Sequence, residues 1–270
     1  MPSERFAGQL THWRVWEQGG DRPVLALHCM LAHAGVWAGM ARMLHGVDLS
    51  APDAIGHGQS AAWNGQAPFH RQATDVAIEM SERLGKGRPI DLIGHSFGGT
   101  VALRLALERP DLVRSLVLIE PVLFAAGRGT DAFAEIALLD QRVSGCLPDN
   151  PEGAAWAFHG FWGTGGRLSD LPEHQRDYII ERIALVPLST DVLARDAAGI
   201  LRPGGLEGFP CPVTLLEGAS SPRSVSVIQT TLAARFPQST RVVVQNAGHM
   251  LPVTHPKAVA EAVQAHLART

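Results

Sequence analysis

The sequence predicts an α/β fold in which a mostly parallel sheet carries helices on both faces. Short apolar runs alternate with segments of helical periodicity along most of the chain, which is typical of parallel strands joined by crossover helices. The runs are continuously apolar, as expected of strands that are buried on both faces. One long segment, residues 123–206, contains helical patterns but no clear strand, and it predicts an all-helical insertion.

The first half of the chain provides most of the strand signals. Polar and apolar residues alternate over residues 9–17 and predict a half-exposed strand. The helix predicted after the fourth strand ends at Pro110, because proline cannot continue a helix. The predicted strands here are 9–17, 23–27, 46–51, 90–93 and 112–119, and the predicted helices are 37–44, 69–84 and 100–109.

The second half begins with the helical insertion and then returns to strand and helix alternation. We therefore expect a core domain made of residues 1–122 and 207–270, interrupted by a helical domain at 123–206. The predicted elements are helices 132–143, 153–162, 175–186 and 188–198, then strand 212–217, helix 224–236, strand 241–245 and helix 255–268.

Length and charge narrow the possible functions. Of the 270 residues, 46% are hydrophobic, which is enough to bury a sizeable core. The formal net charge of -3 provides no electrostatic basis for binding nucleic acid or an anionic membrane. The most apolar stretch, residues 116–126, is too short to cross a bilayer and contains a glutamate. We expect no nucleic-acid partner and no membrane span.

Cysteine and histidine spacing bears on location and metals. The widely spaced Cys29, Cys146 and Cys211 do not form a disulfide framework pattern, and residues 1–10 lack the apolar core of a signal peptide. A cytoplasmic location is therefore expected. No predicted helix carries a pair of histidines at metal-ligand spacing, and no Cys-x-x-Cys pair occurs, so we expect neither a metal nor a cofactor.

The strongest chemical signal is the stretch Gly94-His95-Ser96-Phe97-Gly98. It lies between an apolar strand and a helical pattern, and Gly-x-Ser-x-Gly in that context is typical of a nucleophile elbow. Glycines are needed beside the serine because the chain must reverse within a few residues, which brings backbones close together. The alternative is that Ser96 is only a helix N-cap, and the pentapeptide alone leaves both interpretations open.

Four segments, in order, resemble the α/β-hydrolase fold family. They are the loop at His28, the loop from Asp53 to Ser60, the stretch from Gly94 to Gly99, and Asn246-Ala-Gly-His249 after the last strand. The resemblance covers nearly the whole chain outside the insertion. It implies that the insertion is a lid over an active site, and that the chain is a serine hydrolase that needs no cofactor.

The resemblance also implies roles for individual residues. Ser96 would be the nucleophile and His249 the general base. The backbone N–H groups of Met30 and Phe97 would form the oxyanion hole. Asp53 is expected to hold loop N–H groups and to take no part in the chemistry.

The acid of the triad is where the sequence departs from the family pattern. The usual position, after the strand that follows the insertion, holds Ser221, which cannot supply a negative charge. Glu120 stands at the family's other placement, at the end of the strand after the elbow helix, and we expect it to orient His249. Glu217 is the reserve candidate. The alternative that Glu120 only caps the hinge of the insertion stays open.

Aromatic residues in and near the insertion predict an apolar acyl or alcohol pocket, although such a stripe can also simply pack against the core. The candidate substrate-binding residues are His28, Trp37, Phe124, Trp156, Phe161 and Trp162.

We therefore expect a serine hydrolase that cleaves a small or medium, largely apolar ester, lactone or thioester through an acyl-enzyme on Ser96. Two alternatives stay open. The same triad could serve a carbon–carbon bond hydrolase, a lyase or an acyltransferase, since a fold does not specify its reaction. The chain could also be a non-catalytic ligand-binding protein of this fold, which the serine at position 221 favours. The sequence does not determine the substrate or the oligomeric state.

Overall fold

Eight strands form one sheet in the computed structural model, which describes residues 2–270. The order is β1-β2-β4-β3-β5-β6-β7-β8; the strands from β4 to β8 along this order pair in parallel, whereas β1 and β2 join the edge antiparallel. The mostly parallel sheet is thus as predicted. The strands are β1 (Ser3–Phe6), β2 (Gln9–Glu17), β3 (Pro23–Leu27), β4 (Asp48–Pro52), β5 (Ile90–His95), β6 (Val113–Ile119), β7 (Val213–Gly218) and β8 (Ser239–Val244).

Ten α-helices accompany the sheet among the described residues, and those between β6 and β7 form one helical segment, residues 124–195, without a strand. The helices are α1 (Ala38–Ala41), α2 (Phe69–Gly85), α3 (Phe97–Glu108), α4 (Asp131–Cys146), α5 (Pro151–Trp162), α6 (Glu173–Arg182), α7 (Thr190–Arg195), α8 (Arg223–Arg235), α9 (Leu251–Thr254) and α10 (Pro256–Leu267).

Three local predictions were wrong. The four-residue strand β1 was not predicted, because it exists only through its pairing with β2. The helix predicted at 37–44 is a 3-10 turn, Ala34–Trp37, followed by the short α1. Between α6 and α7 the chain runs as the 3-10 stretch Ile183–Ser189, since Pro187 has no N–H for an α-helical hydrogen bond.

The core consists of two apolar layers, one on each face of the sheet. Side chains alternate along each strand, so in β3 Leu25 and Leu27 pack towards α2, α3 and α8, while Val24 and Ala26 pack towards α1 and α10. All four are buried. Because β3, β5 and β6 are parallel, their carboxyl ends meet at one edge of the sheet, and the loops that follow them come together there.

No helix among residues 2–270 is both long enough and apolar enough to cross a membrane.

Candidate active site

Ser96 lies at the turn between β5 and α3 in a strained backbone conformation. Its φ is 55° and its ψ is -118°, a sparsely populated region that costs about 1–3 kcal/mol. The Ser96 N–H donates to the Ile119 carbonyl at 2.9 Å, which holds the turn against the end of β6. The serine side chain is thereby presented at the sheet edge, where its Oγ meets a histidine.

Gly94 and Gly98 are required by close backbone contacts. A Cβ at Gly94 would lie 2.5 Å from the Gly98 carbonyl oxygen, and a Cβ at Gly98 would lie 2.2 Å from the Leu27 carbonyl oxygen. Real Cβ atoms do not approach backbone this closely. The two glycines therefore allow α3 to start directly against β5 and β3.

Ser96, His249 and Glu120 form a continuous chain of hydrogen bonds. The Ser96 hydroxyl lies 3.0 Å from His249 Nε2, and His249 Nδ1 lies 2.7 Å from Glu120 Oε2. All three side chains are buried, Glu120 completely. A buried carboxylate is costly unless it is paired and hydrogen-bonded, and this one has both kinds of partner.

The second oxygen of Glu120 is also occupied. Oε1 accepts hydrogen bonds from the Gly218 N–H and from the Ser221 hydroxyl, both at 2.6 Å. Ser221, where the resemblance seen in the sequence would place the acid, thus supports the carboxylate that follows β6. Glu120 itself sits at a positive φ of 46°, which directs its side chain into this arrangement.

Glu217, the reserve candidate, makes different contacts. Its Oε1 accepts from Arg241 at 2.9 Å and 2.5 Å, and it does not contact His249. Burial raises the pKa of Glu217, the Arg241 guanidinium opposes this rise, and the negative charge of Glu120 adds to it. The structure therefore places Glu120, and not Glu217, next to the histidine.

His95 was missed as a site residue by the sequence analysis. Its Nε2–H donates to the His249 carbonyl at 2.9 Å, and the two rings lie 5.0 Å apart. Complete burial, followed by the proximity of the His249 ring, lowers the pKa of His95 well below its ordinary value. A neutral His95 therefore holds the loop that carries His249.

Two histidines hold the loop that carries Met30. His28 Nδ1–H donates to the Cys29 carbonyl at 2.7 Å, and its Nε2 accepts from the Ala54 N–H at 2.8 Å. His57 Nε2 accepts from the Leu31 N–H at 3.0 Å. Together they join the loop after β3 to the loop after β4. No acceptor within residues 2–270 receives the N–H of Met30 or of Phe97, so both remain available to an oxyanion.

Asp53 supports the same two loops, as predicted. Its carboxylate accepts from the Ala34 N–H at 2.8 Å, from the Gln59 N–H at 2.9 Å and from His12 at 3.1 Å. Burial favours a higher pKa for Asp53, but the N–H donors of Gln59 and Ala34 outweigh it and lower the pKa below 3.8. The negative charge of Asp53 therefore orders the backbone of these two loops.

Two cavities border Ser96. The wide one, of about 550 Å³, has His249 in its wall, and the narrow one, of about 60 Å³, has Phe97 in its wall. Met30, Phe158 and Trp162 contribute to both. Helices of the segment 124–195 therefore form part of both cavities and cover the carboxyl edge of the sheet.

The model of the alpha/beta hydrolase family matches residues 24–262 of the chain. This chain belongs to the alpha/beta hydrolase family. Like its lipase and esterase relatives, this hydrolase is an enzyme. It is 29% identical to lipase LipV of Mycobacterium tuberculosis, over 95% of this chain and 97% of the lipase.

Two further proteins illustrate the range of relatives. The (E)-2-((N-methylformamido)methylene)succinate hydrolase of Acinetobacter baylyi is 25% identical over 94% of both chains. The solved enol-lactonase of Burkholderia xenovorans LB400 aligns with a TM-score of 0.78 at 22% identity, over 99% of this chain and 100% of its own. The enol-lactonase confirms the fold.

Of the six predicted pocket residues, the structure brings Phe124 and Trp162 to the cavities of this hydrolase. Phe124 lines the narrow cavity, and the Trp162 ring packs 4.5 Å from the His249 ring. Phe161 lines neither cavity; its ring packs against Trp162, with 4.8 Å between the two ring centres.

The other three do not line either cavity. Trp37 is completely buried in the layer against α1 and α10. Trp156 is 38% exposed on the outer side of α5. His28 is occupied by the backbone contacts described above. The sequence could not settle these positions, because a hydrophobic pattern does not show which neighbour an aromatic ring will meet.

Tyr178 and Phe158 were not identified from the sequence. The Tyr178 hydroxyl accepts from the Gly58 N–H and donates to the Ala32 carbonyl, each at 2.8 Å, and so ties α6 to both loops of the site. Phe158 lies four residues before Trp162, a spacing that places both on one face of α5. That spacing was the available signal for Phe158.

Acid is expected to destabilise this hydrolase strongly below pH 6.5. Burial lowers the pKa of His28 to about 4, and those of His57 and His70 to about 3. An unfolded histidine titrates near 6.5, so between these values the unfolded chain binds protons that the native state excludes, and stability falls as pH falls. Each histidine then costs about 2 kcal/mol at pH 5, and the three together cost about 6 kcal/mol.

Urea unfolding at pH 7 and pH 5 measures this loss. The His70→Gln variant is expected to lose about 2 kcal/mol less than the wild type between the two pH values, because one buried imidazole is absent. His45→Gln, at an exposed position, is the matched control and should reproduce the wild-type difference. Equal pH dependence in all three proteins would contradict the prediction.

Proposed function

We propose that this chain is a serine hydrolase that cleaves small or medium, largely apolar esters, lactones or thioesters through an acyl-enzyme on Ser96. The observation that carries the proposal is the chain of contacts from Ser96 Oγ to His249 at 3.0 Å and from His249 to Glu120 at 2.7 Å. A serine hydroxyl is a weak nucleophile until a base takes its proton, and this arrangement supplies the base and its orienting acid.

In the first half-reaction, Ser96 Oγ bonds to the substrate carbonyl carbon while His249 Nε2 takes the serine proton. The Met30 and Phe97 N–H groups stabilise the oxyanion, and the Glu120 carboxylate stabilises the imidazolium. His249 then gives the proton to the leaving group as the bond to that group breaks. In the second half-reaction, water bonds to the acyl carbon while His249 takes its proton; the bond from the acyl carbon to Ser96 Oγ then breaks, His249 returns the proton to Oγ, and the carboxylic acid is released.

Relatives support the ester-type substrate. The relatives include lipases, and one of the similar solved structures is an enol-lactonase. Residues 123–206 would act as a lid, since its helices contribute Phe158 and Trp162 to the cavity walls. The three cysteines are free, which supports a cytoplasmic location as part of the proposal.

Intact mass after reaction with a fluorophosphonate tests the activated serine. The wild type is expected to gain one adduct, and Ser96→Ala none. Hydrolysis of 4-nitrophenyl acetate is then measured on both proteins, with the variant expected to lose about 10⁶-fold in kcat. A folded wild type that neither labels with the fluorophosphonate or a small sulfonyl fluoride nor hydrolyses the ester would overturn the proposal and favour a ligand-binding protein.

A further inference from the structure

We propose that the two cavities at Ser96 divide the substrate, so that the narrow cavity takes a short, uncharged acyl group and the wide cavity takes a bulky leaving group. This inference rests on the proposed function, because it assumes an acyl-enzyme on Ser96. It specifies which side of the ester bond enters each cavity, and it limits the size of the group on each side. Neither follows from the presence of the triad.

The position of His249 determines which side receives the leaving group. The proton that departs with the leaving group comes from His249 Nε2, so the leaving oxygen or sulfur must lie next to that atom. His249 lines the wide cavity and does not line the narrow one. The leaving group therefore extends into the wide cavity, which at about 550 Å³ accommodates a ring or a branched chain.

The acyl chain is directed the other way. Once Ser96 Oγ and the oxyanion N–H groups have engaged the carbonyl, the remaining substituent points away from His249. Phe97, which supplies one of those N–H groups, lines the narrow cavity. Its volume of about 60 Å³, against about 550 Å³ for the wide cavity, favours a short acyl chain.

The walls of the narrow cavity favour an apolar acyl chain. Val122, Ile136 and Leu193 lie around it and are buried, and Phe124 is partly buried. Asp140 is the acidic residue of this wall, and its Oδ1 accepts a hydrogen bond from Thr190 at 3.0 Å. An acyl chain that ends in a carboxylate would bring a second negative charge into the same apolar space, which is unfavourable.

The wide cavity has a more polar lining. His33, His174, Gln175 and Tyr178 contribute to it, together with His159. The ring nitrogens, amide and hydroxyl of this lining can form hydrogen bonds with a polar group of a ligand. We expect the leaving group to carry an oxygen or nitrogen in addition to the scissile one, or to place an aromatic ring of its own between these side chains.

A pair of isomeric esters tests the direction. 4-Phenylbutyl acetate and ethyl 4-phenylbutanoate have the same formula, but the bulky phenylalkyl group is on the alcohol in the first and on the acyl side in the second. We expect kcat/KM for the acetate to be roughly tenfold higher or more. Equal values, or a preference for the phenylbutanoate, would overturn the inference. Ser96 labelling by the fluorophosphonate is measured in parallel, so that loss of the proposed function is recognised separately.

A series of 4-nitrophenyl esters tests the size limit and the charge. Activity is expected to be highest with short acyl chains and to fall roughly tenfold by twelve acyl carbons. The hemisuccinate is expected to be a poorer substrate than the butyrate, and Asp140→Asn should reduce that difference. A flat dependence on chain length, or a preferred hemisuccinate, would contradict the assignment.

Enlarging the narrow cavity should shift the preferred acyl-chain length. Ile136→Ala and Leu139→Ala each remove wall atoms, and the preferred chain is expected to lengthen by about two carbons. Leu139 is only partly buried, so this second variant keeps the test available if the first does not fold. Leu138→Ala is the matched control on the same helix, because Leu138 is 62% exposed and lines neither cavity. An unchanged optimum in a folded Leu139→Ala protein would overturn the inference.

Discussion

The Glu120→Gln variant is expected to fold normally and to lose about 10⁴-fold in kcat. In the native site, Glu120 Oε1 accepts from the Gly218 N–H and the Ser221 hydroxyl, while Oε2 faces His249 Nδ1. A glutamine must keep its single oxygen towards the two donors, so its NH₂ group turns to the histidine. Nδ1 then becomes the acceptor and Nε2 carries the proton, which leaves no base for Ser96.

Two further variants make this expectation specific. Glu217→Gln should keep kcat within about threefold of the wild type, because Glu217 pairs with Arg241 and does not touch His249. Ser221→Ala removes one donor from Glu120 and should lower kcat by about 10- to 100-fold, since one hydrogen bond to a charged group is worth roughly 1.5–3 kcal/mol. Steady-state kinetics with circular dichroism checks all three. Loss of activity in Glu217→Gln but not in Glu120→Gln would refute the assignment of the acid.

The Gly98→Ala variant is expected to be destabilised by about 3 kcal/mol and to label slowly with a fluorophosphonate. The added Cβ would lie 2.2 Å from the Leu27 carbonyl oxygen and 2.6 Å from the His28 carbonyl oxygen. Both are backbone atoms, so α3 and β3 must separate to relieve the clash. The loop that follows β3 would shift with them and carry the Met30 N–H away from the oxyanion position.

Gly160→Ala is the matched control for a glycine-to-alanine change. Gly160 lies within α5, and a Cβ there would meet no atom within 4 Å. The change should stabilise the protein by about 0.5–1 kcal/mol, because alanine loses less backbone entropy in a helix. Urea unfolding and the rate of labelling are measured for both variants. A Gly98→Ala protein as stable as the wild type would show that the elbow can relax.

Local patterns predicted most of the sheet because each buried parallel strand is a continuous apolar run. The exceptions had physical reasons. Strand β1 depends on pairing with β2, and the boundaries of α1 and α7 depend on 3-10 turns that precede them. Pairing and turn type are properties of contacts between segments, and a short window of residues does not contain them.

The candidate site was predictable in part, because Ser96 and His249 belong to short motifs whose position in the chain order is distinctive. Their catalytic roles stay predictions until the variants are measured. The choice between Glu120 and Glu217 could not be made from their spacing alone. Both residues end up within reach of the same edge, and the direction of each side chain from its strand decides which one meets the histidine.

Sequence patterns were therefore sufficient for the parallel sheet, the helical segment and the residues at the elbow, since these depend on periodicity and on small residues at fixed positions. The partner of His249, the supporting role of Ser221 and the two unequal cavities depend on the packing of distant segments. Trp37 and Trp162 illustrate the difference: both are large and apolar, but one is buried in the core and the other packs on the His249 ring. Hydrophobicity drives both rings out of water without specifying their neighbours, because the hydrophobic effect has no direction.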